Sequence, residues 1–244
     1  MDHKVKYEEM TPRELLAALE ANPVVIVPTG LLEWHGDHLP LGLDALKIYH
    51  MALRIGARTR AVVLPPNYWG VPGFGSFAGT LVFSDELIEQ LFTEIFQQLE
   101  KIGARVIVLL TGHYGPRQVN LVKRAAAKFM ETSAVRVIAQ PEYEGVRDDN
   151  GHEPADHAGV YETSFAMALI PHLVRMDKFK QGLCPIHRYG DEHANSDGER
   201  NDWVWAMDLR ETASRELGEQ LTKRIVEHIV ARIAEEKQRA GLET

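Results

Sequence analysis

Four short, almost wholly apolar runs divide the chain: residues 24 to 27 (Val-Val-Ile-Val), 61 to 64 (Ala-Val-Val-Leu), 106 to 110 (Val-Ile-Val-Leu-Leu) and 135 to 139 (Val-Arg-Val-Ile-Ala). Their brevity and β-branching predict strands buried on both faces. Between them, apolar positions recur with helical period over 44 to 58, 85 to 102 and 117 to 131. The second stretch carries Leu87, Ile88, Leu91, Ile95, Phe96 and Leu99. Ahead of the first run, Thr11-Pro12-Arg13-Glu14 reads as a capping box with proline at the first helical position, followed by Leu15, Leu16 and Leu19. Residues 162 to 170 and 209 to 238 predict further helices, the latter through Leu209, Leu217, Leu221, Ile225, Ile229 and Ile233. The final EEKQRAGLET is expected to fray. Strand and helix therefore alternate, which predicts an α/β fold: a three-layer α/β/α sandwich around a mainly parallel sheet with right-handed crossovers.

Two stretches depart from this rhythm. Residues 66 to 83 are rich in glycine and aromatics, and residues 182 to 206 are irregular, with His187, His193, Trp203 and Trp205. Both read as long loops, either functional or packed on the domain or a neighbouring subunit.

Composition narrows the function classes. With 244 residues, 45% hydrophobic and 25% charged, the chain can bury a substantial core, and no internal linker interrupts it. One domain spanning residues 1–244 is expected. A formal charge of −8 without a basic, aromatic-interleaved run argues against nucleic acid. The lone cysteine, Cys184, rules out an intrachain disulfide and reads as a packed small side chain. No apolar run is long enough for a signal core or a membrane span, so a cytoplasmic protein is expected. There is neither a phosphate loop ending in GK[ST] nor a GxGxxG turn, which disfavours dinucleotide binding.

Candidate chemistry begins directly after the first predicted strand, at Glu33-Trp34-His35, with Asp44 on the same stretch. Residues i and i+2 of an extended segment point to one side, so Glu33 and His35 can address one point to which Asp44 returns. A mixed carboxylate and imidazole set suits Zn²⁺, Mn²⁺ or Fe²⁺ better than Ca²⁺. The same side chains would also suit a solvated polar loop. In an open parallel sheet, ligands bind beyond the carboxyl ends of the strands. Thr111-Gly112-His113-Tyr114-Gly115 follows the third predicted strand, where His113 could project over the same crevice or act as a structural hydrogen-bonder. A third cluster runs from Asp156-His157 to Glu162. That carboxylate could turn inward, or only complement a helix N-terminus.

The segments PTGLLEWHGDHLPLGLD, VPGFGSFAGTL, GARVIVLLTGHYG and DHAGVYETS, in this order and at these separations, resemble the creatininase family of metal-dependent amidohydrolases. The resemblance runs from about residue 23 to about 175, with a weaker echo to about 230. It implies the same three-layer fold, often assembled as a hexamer, with a centre of two divalent ions, Zn²⁺, Mn²⁺ or Fe²⁺. The family's metal ligands fall on Glu33, His35, Asp44, His113 and Glu162, with Asp44 bridging, and its catalytic histidine falls on His157. Charges balance: about +4 from two ions, about −3 from the three carboxylates and one hydroxide. Glu162 carries weight as catalytic residue and ligand, because Gly115 stands where creatininase itself has a glutamate. Trp34 replaces the usual glutamine, Asp37 the usual proline, and TGHYGP the common NGHGGN.

The expected activity is hydrolysis of a small cyclic or linear amide by a hydroxide held between the ions, with His157 as proton shuttle. One alternative keeps the site and opens a polar, inosose-like cyclic ketone or sugar-derived ring. Another is a non-catalytic binding protein on this fold. Asp37 and His38 are candidates for orienting the ligands, or for solvated loop positions. Tyr114, Trp69, Phe74 and Phe77 are candidates for lining the pocket, and Asp156 for orienting His157. His152, His187 and His193 receive no role. A small-molecule substrate and a homo-oligomer, hexameric by resemblance, complete the expectation.

Overall fold

The computed structural model describes residues 4–71, 73–185 and 202–243. Four of the strands among these residues form one parallel sheet: β1 (Val24–Thr29), β2 (Val62–Val63), β3 (Val106–Thr111) and β4 (Arg136–Pro141), in the order β2-β1-β3-β4. Register is continuous across the centre, Val24 pairing with Val106 through Thr29 with Thr111. Helices α1 (Pro12–Ala21), α2 (Leu43–Thr59), α3 (Asp85–Lys101), α4 (Pro116–Met130), α5 (Val160–Leu169), α6 (Leu209–Thr212) and α7 (Arg215–Arg239) account for the helical periodicity.

The side-chain alternation of the strands separates two cores. Val24, Ile26, Val106, Val108, Leu110 and Ile138 pack with α2, α5 and α7. Val25, Val27, Ile107, Leu109 and Val137 pack with α1, α3 and α4. Both faces of the sheet are thus covered, giving the expected three-layer α/β/α sandwich. The capping box opens α1: Glu14 N donates to Thr11 Oγ1, and the Thr11 N–H returns the bond to Glu14 Oε2 at 2.6 Å. The topology reverses between β1 and β3, because the chain passes from β1 outward to β2 and then back to β3 on the other side. That switch point opens a crevice at the strand ends.

Three local expectations are corrected. The helix expected over 209 to 238 is broken at Ala213–Ser214, where Ser214 Oγ caps a new helix by accepting from Leu217 N. The EEKQR segment remains helical to Arg239, since buried Glu236 accepts from Arg136 and Arg239. Residues 182 to 206 are not wholly loop: β5 (Gly182–Pro185) pairs antiparallel with β6 (Asp202–Trp205). His187 and His193 lie outside the described residues. No helix among the described residues is long and apolar enough to cross a membrane.

Candidate metal centre

The crevice between β1 and β3 gathers chemistry from four segments. Glu33 and His35 lie on the loop after β1, which folds back through a bond from Glu33 N to Leu41 O at 2.9 Å and delivers the chain to α2. Asp44 sits in the first turn of α2. A Cβ on Gly30 would lie 2.2 Å from Ala45 N, and one on Gly112 would lie 2.1 Å from Asp44 O. Only glycine at both strand ends lets the α2 N-terminus drop between them. His113 follows β3, and Glu162 occupies the first turn of α5.

Glu33, His35, Asp44, His113 and Glu162 are each at most 4% exposed, and they converge as two sets. In the first, His113 Nδ1 lies 3.1 Å from Glu33 Oε2 and 3.3 Å from Asp44 Oδ2. In the second, His35 Nε2 lies 3.2 Å from Asp44 Oδ1 and 3.4 Å from Glu162 Oε2. Asp44 therefore presents one oxygen to each set, the disposition of a bridging carboxylate.

Hydrogen bonds hold three of these groups in place. His35 Nδ1 is 3.0 Å from Glu33 O; a carbonyl only accepts, so Nδ1 carries the hydrogen and Nε2 keeps its lone pair for the cluster. Glu33 Oε1 accepts from the amides of Gly73 and Phe74 at 3.1 and 3.0 Å. Glu162 Oε2 accepts from Ala158 N at 2.8 Å, and Oε1 from Lys47 Nζ at 2.5 Å. What remains fits a cation. Glu33 Oε2, Asp44 Oδ2 and His35 Nε2 are buried with no hydrogen-bond partner, although their neighbours are only 3.1 to 3.4 Å away. Lone pairs converging on a common point leave the distances short and the hydrogen-bond angles poor.

Without a cation, protons take its place. Burial opposes a proton on His35, but Asp44, Glu162 and Glu33 outweigh it and raise its pKa to about 9. Burial likewise opposes charge on His113, yet Glu33 and Asp44 raise it well above the usual imidazole value. Burial would raise Glu33 and Asp44, but His113 and then His157 pull Glu33 down, and His35 with His113 pull Asp44 down. Imidazole protons held this tightly by carboxylates are the ones a metal ion would displace.

His157 borders the cluster, its ring centroid 4.5 Å from that of His35 and 4.1 Å from that of Phe74. Its Nε2 lies 2.8 Å from Trp34 O, and its Nδ1 lies 3.9 Å from Glu33 Oε2. Burial, then the neighbouring His35, depress its pKa to about 4. The next residue, Ala158, adopts φ 48°, a left-handed conformation unusual for a residue with a side chain. Its carbonyl accepts from Trp205 Nε1 at 2.9 Å, so the β6 tryptophan pins the His157 loop. A cavity of about 270 Å³ opens onto Asp44, His113, His157 and Glu162, walled by Phe74, Tyr114 and Pro116. That volume lies just below the roughly 300–1,000 Å³ of pockets for drug-sized ligands.

Other expected positions divide. Phe74 and Tyr114 line the cavity, whereas buried Phe77 packs behind, against Trp34 and Phe74. Trp69 is 43% exposed and packs on Phe83, away from the cavity. Asp156 does not orient His157; its two oxygens accept from Tyr161 N and Glu162 N and cap α5. His38 is buried, with Nε2 3.2 Å from Thr163 Oγ1, one residue beyond Glu162. Asp37 and His152 are exposed. Two buried groups beside the cluster had no role in the sequence reading: Lys47 and Glu142. Lys47 shares the buried stripe of α2 with Leu43, Ile48, Met51 and Ile55. A lysine on an apolar helix stripe was the signal that could have found it.

Comparisons with known proteins place the fold in a family. The family model for creatininase, described as creatinine amidohydrolase, matches residues 8–233. The creatinine amidohydrolase of Pseudomonas putida is 27% identical over 97% of this chain and 98% of its own. The 3-dehydro-scyllo-inosose hydrolase of Thermotoga maritima is 24% identical over 71% of this chain and 58% of its own. The mycofactocin precursor peptide peptidase of Mycolicibacterium smegmatis is 32% identical over 66% and 63%. Among solved structures, a mutant creatininase of Zn-Zn type superposes with TM-score 0.77 at 26% identity, covering 96% of this chain and 98% of that one.

Proposed function

The chain belongs to the creatininase family, and on that premise we propose that it is a binuclear metal-dependent amidohydrolase acting on a small cyclic or linear amide. One observation carries the reading: two buried carboxylate–imidazole sets meet at Asp44, each taking a different oxygen of it. Glu33, Asp44 and His113 would hold one ion, and His35, Asp44 and Glu162 the other, with Zn²⁺, Mn²⁺ or Fe²⁺ suited to the mixed donors. When bound, the ions supply Lewis acidity toward the scissile carbonyl and lower the pKa of water toward neutrality.

His157 moves the proton. With Nε2–H given to Trp34 O, the Nδ1 lone pair accepts a proton from the attacking water. The water oxygen bonds to the carbonyl carbon, the C–N bond breaks, and the proton on Nδ1 passes to the leaving nitrogen. Phe74 against the His157 ring keeps bulk water from that transfer. The modest cavity favours a small substrate. The chain is proposed to work as a homo-oligomer, a hexamer by family resemblance, which light scattering measures.

Similarity to the inosose hydrolase supports a second reading. The same residues would open a polar cyclic ketone, and His157 would protonate carbon in place of nitrogen. The test is reconstitution with Zn²⁺, Mn²⁺ or Fe²⁺, elemental analysis, and a panel of lactams, formamides, short peptides and inosose-like ketones. Two ions per chain with turnover of an amide is the expected result. Turnover of ketones alone replaces the first reading by the second, and a reconstituted chain holding no metal overturns both.

A further inference from the structure

Lys47 lies on α2 one turn beyond Asp44 and has no exposed surface. Its Nζ is 2.5 Å from Glu162 Oε1, 2.5 Å from Tyr114 Oη and 3.3 Å from Glu142 Oε1, and it sits 3.9 Å above the Tyr114 ring. Tyr114 in turn donates to Glu142 Oε1 at 2.5 Å. Burying an ammonium is costly unless carboxylates and further hydrogen bonds surround it, and here Glu142 supplies a counter-charge that belongs to neither ligand set. Glu162, which does belong to one, has its two oxygens divided: Oε1 on Lys47, Oε2 on Ala158 N–H and facing His35 Nε2. In the opposite set Glu33 is held by two neutral backbone amides.

We propose that Lys47 is a positioning residue that ties down Glu162 Oε1, leaving Oε2 alone for the ion of the His35 set, with Glu142 and Tyr114 fixing the ammonium in place. The two ion positions are therefore built differently, and only one depends on a buried cation. An ammonium has no lone pair and cannot itself ligate, so its influence on that ion passes wholly through Glu162. Removing such an orienting partner typically weakens metal affinity by about 10- to 100-fold. The inference rests on the two-ion reading above.

The experiment is a titration of the metal-stripped chain with Mn²⁺ and Co²⁺, followed by calorimetry, Mn²⁺ paramagnetic resonance and Co²⁺ visible absorption. Wild type is expected to bind in two steps. K47M is expected to weaken one step by about 10- to 100-fold, alter the Co²⁺ spectrum of that step and leave the other unchanged. The double variant K47M/E142Q removes both buried charges together, avoiding an unpaired Glu142, and is expected to titrate as K47M does. A single step in wild type overturns the two-ion reading and the inference with it. Two steps in wild type, with K47M/E142Q titrating identically, overturn the role of Lys47 alone, even if thermal stability falls.

Discussion

His157 Nε2 lies 2.8 Å from the carbonyl oxygen of Trp34, a residue 123 positions away in the chain. Because a carbonyl only accepts, the contact settles which ring nitrogen carries hydrogen: Nε2 donates and Nδ1 keeps the lone pair. The backbone of Trp34, between Glu33 and His35, thereby orients an imidazole supplied by a distant loop.

His157→Ala is expected to lower kcat by about 10²- to 10⁴-fold, the usual worth of a positioned acid–base group, while the ions per chain stay as in wild type. Elemental analysis beside steady-state kinetics checks both halves. A matching loss of metal would instead make His157 a ligand, which its grouping with Glu33 and His35 permits geometrically.

Asp44→Asn and Glu162→Gln should differ. Asp44 faces both imidazoles, so its neutralisation weakens both ion positions, whereas Glu162 faces only His35. The expected outcome is loss of both ions in the first variant and retention of a single ion in the second, read by elemental analysis after dialysis. Equal losses would contradict the division into two sets.

In the metal-stripped protein, stability should fall with rising pH. The pKa of His35, raised to about 9 in the folded chain, exceeds its unfolded value of about 6.5. Its contribution is complete below the unfolded value and is lost as pH rises through about 9. Calorimetry is expected to show the melting temperature of stripped protein dropping across that window, and less so after metal loading. A flat profile for the stripped chain would refute the electrostatic account.

Gly112→Ala should destabilise the chain by at least about 3 kcal/mol, the upper range for overpacking. The added methyl would meet a backbone oxygen of Asp44, which has no rotamer to escape by. Denaturant unfolding measures the loss, and weakened metal binding should accompany it because α2 must shift.

The strands and most helices were legible because buried parallel strands and one-sided helices impose local periods, as Val24–Thr29 and Asp85–Lys101 do. The break at Ser214 was not, because the helical spacing of leucines and isoleucines runs straight across it. The paired ends of residues 182 to 206 were not, since Gly182–Pro185 and Asp202–Trp205 find each other only across a long separation. Glu33, His35, Asp44, His113 and Glu162 were drawn together in the sequence by family resemblance more than by spacing. Phe74 was a correct candidate for the cavity wall and Trp69 was not, because aromatic character is the same whether a ring faces a cavity or the surface.

The sequence by itself determined the alternation of strands and helices and the carboxylate and imidazole donors beyond the strand ends. These are properties of neighbouring residues. The tertiary structure decided what depends on distant segments meeting: the division of Asp44 between two imidazoles, the tautomer of His157 set by Trp34, and the buried contacts of Lys47 with Glu142 and Glu162. Lys47 and Glu162 stand 115 residues apart, and Trp34 and His157 stand 123 apart. No local period records such pairings; they exist only once the two cores have packed and water has been excluded from between them.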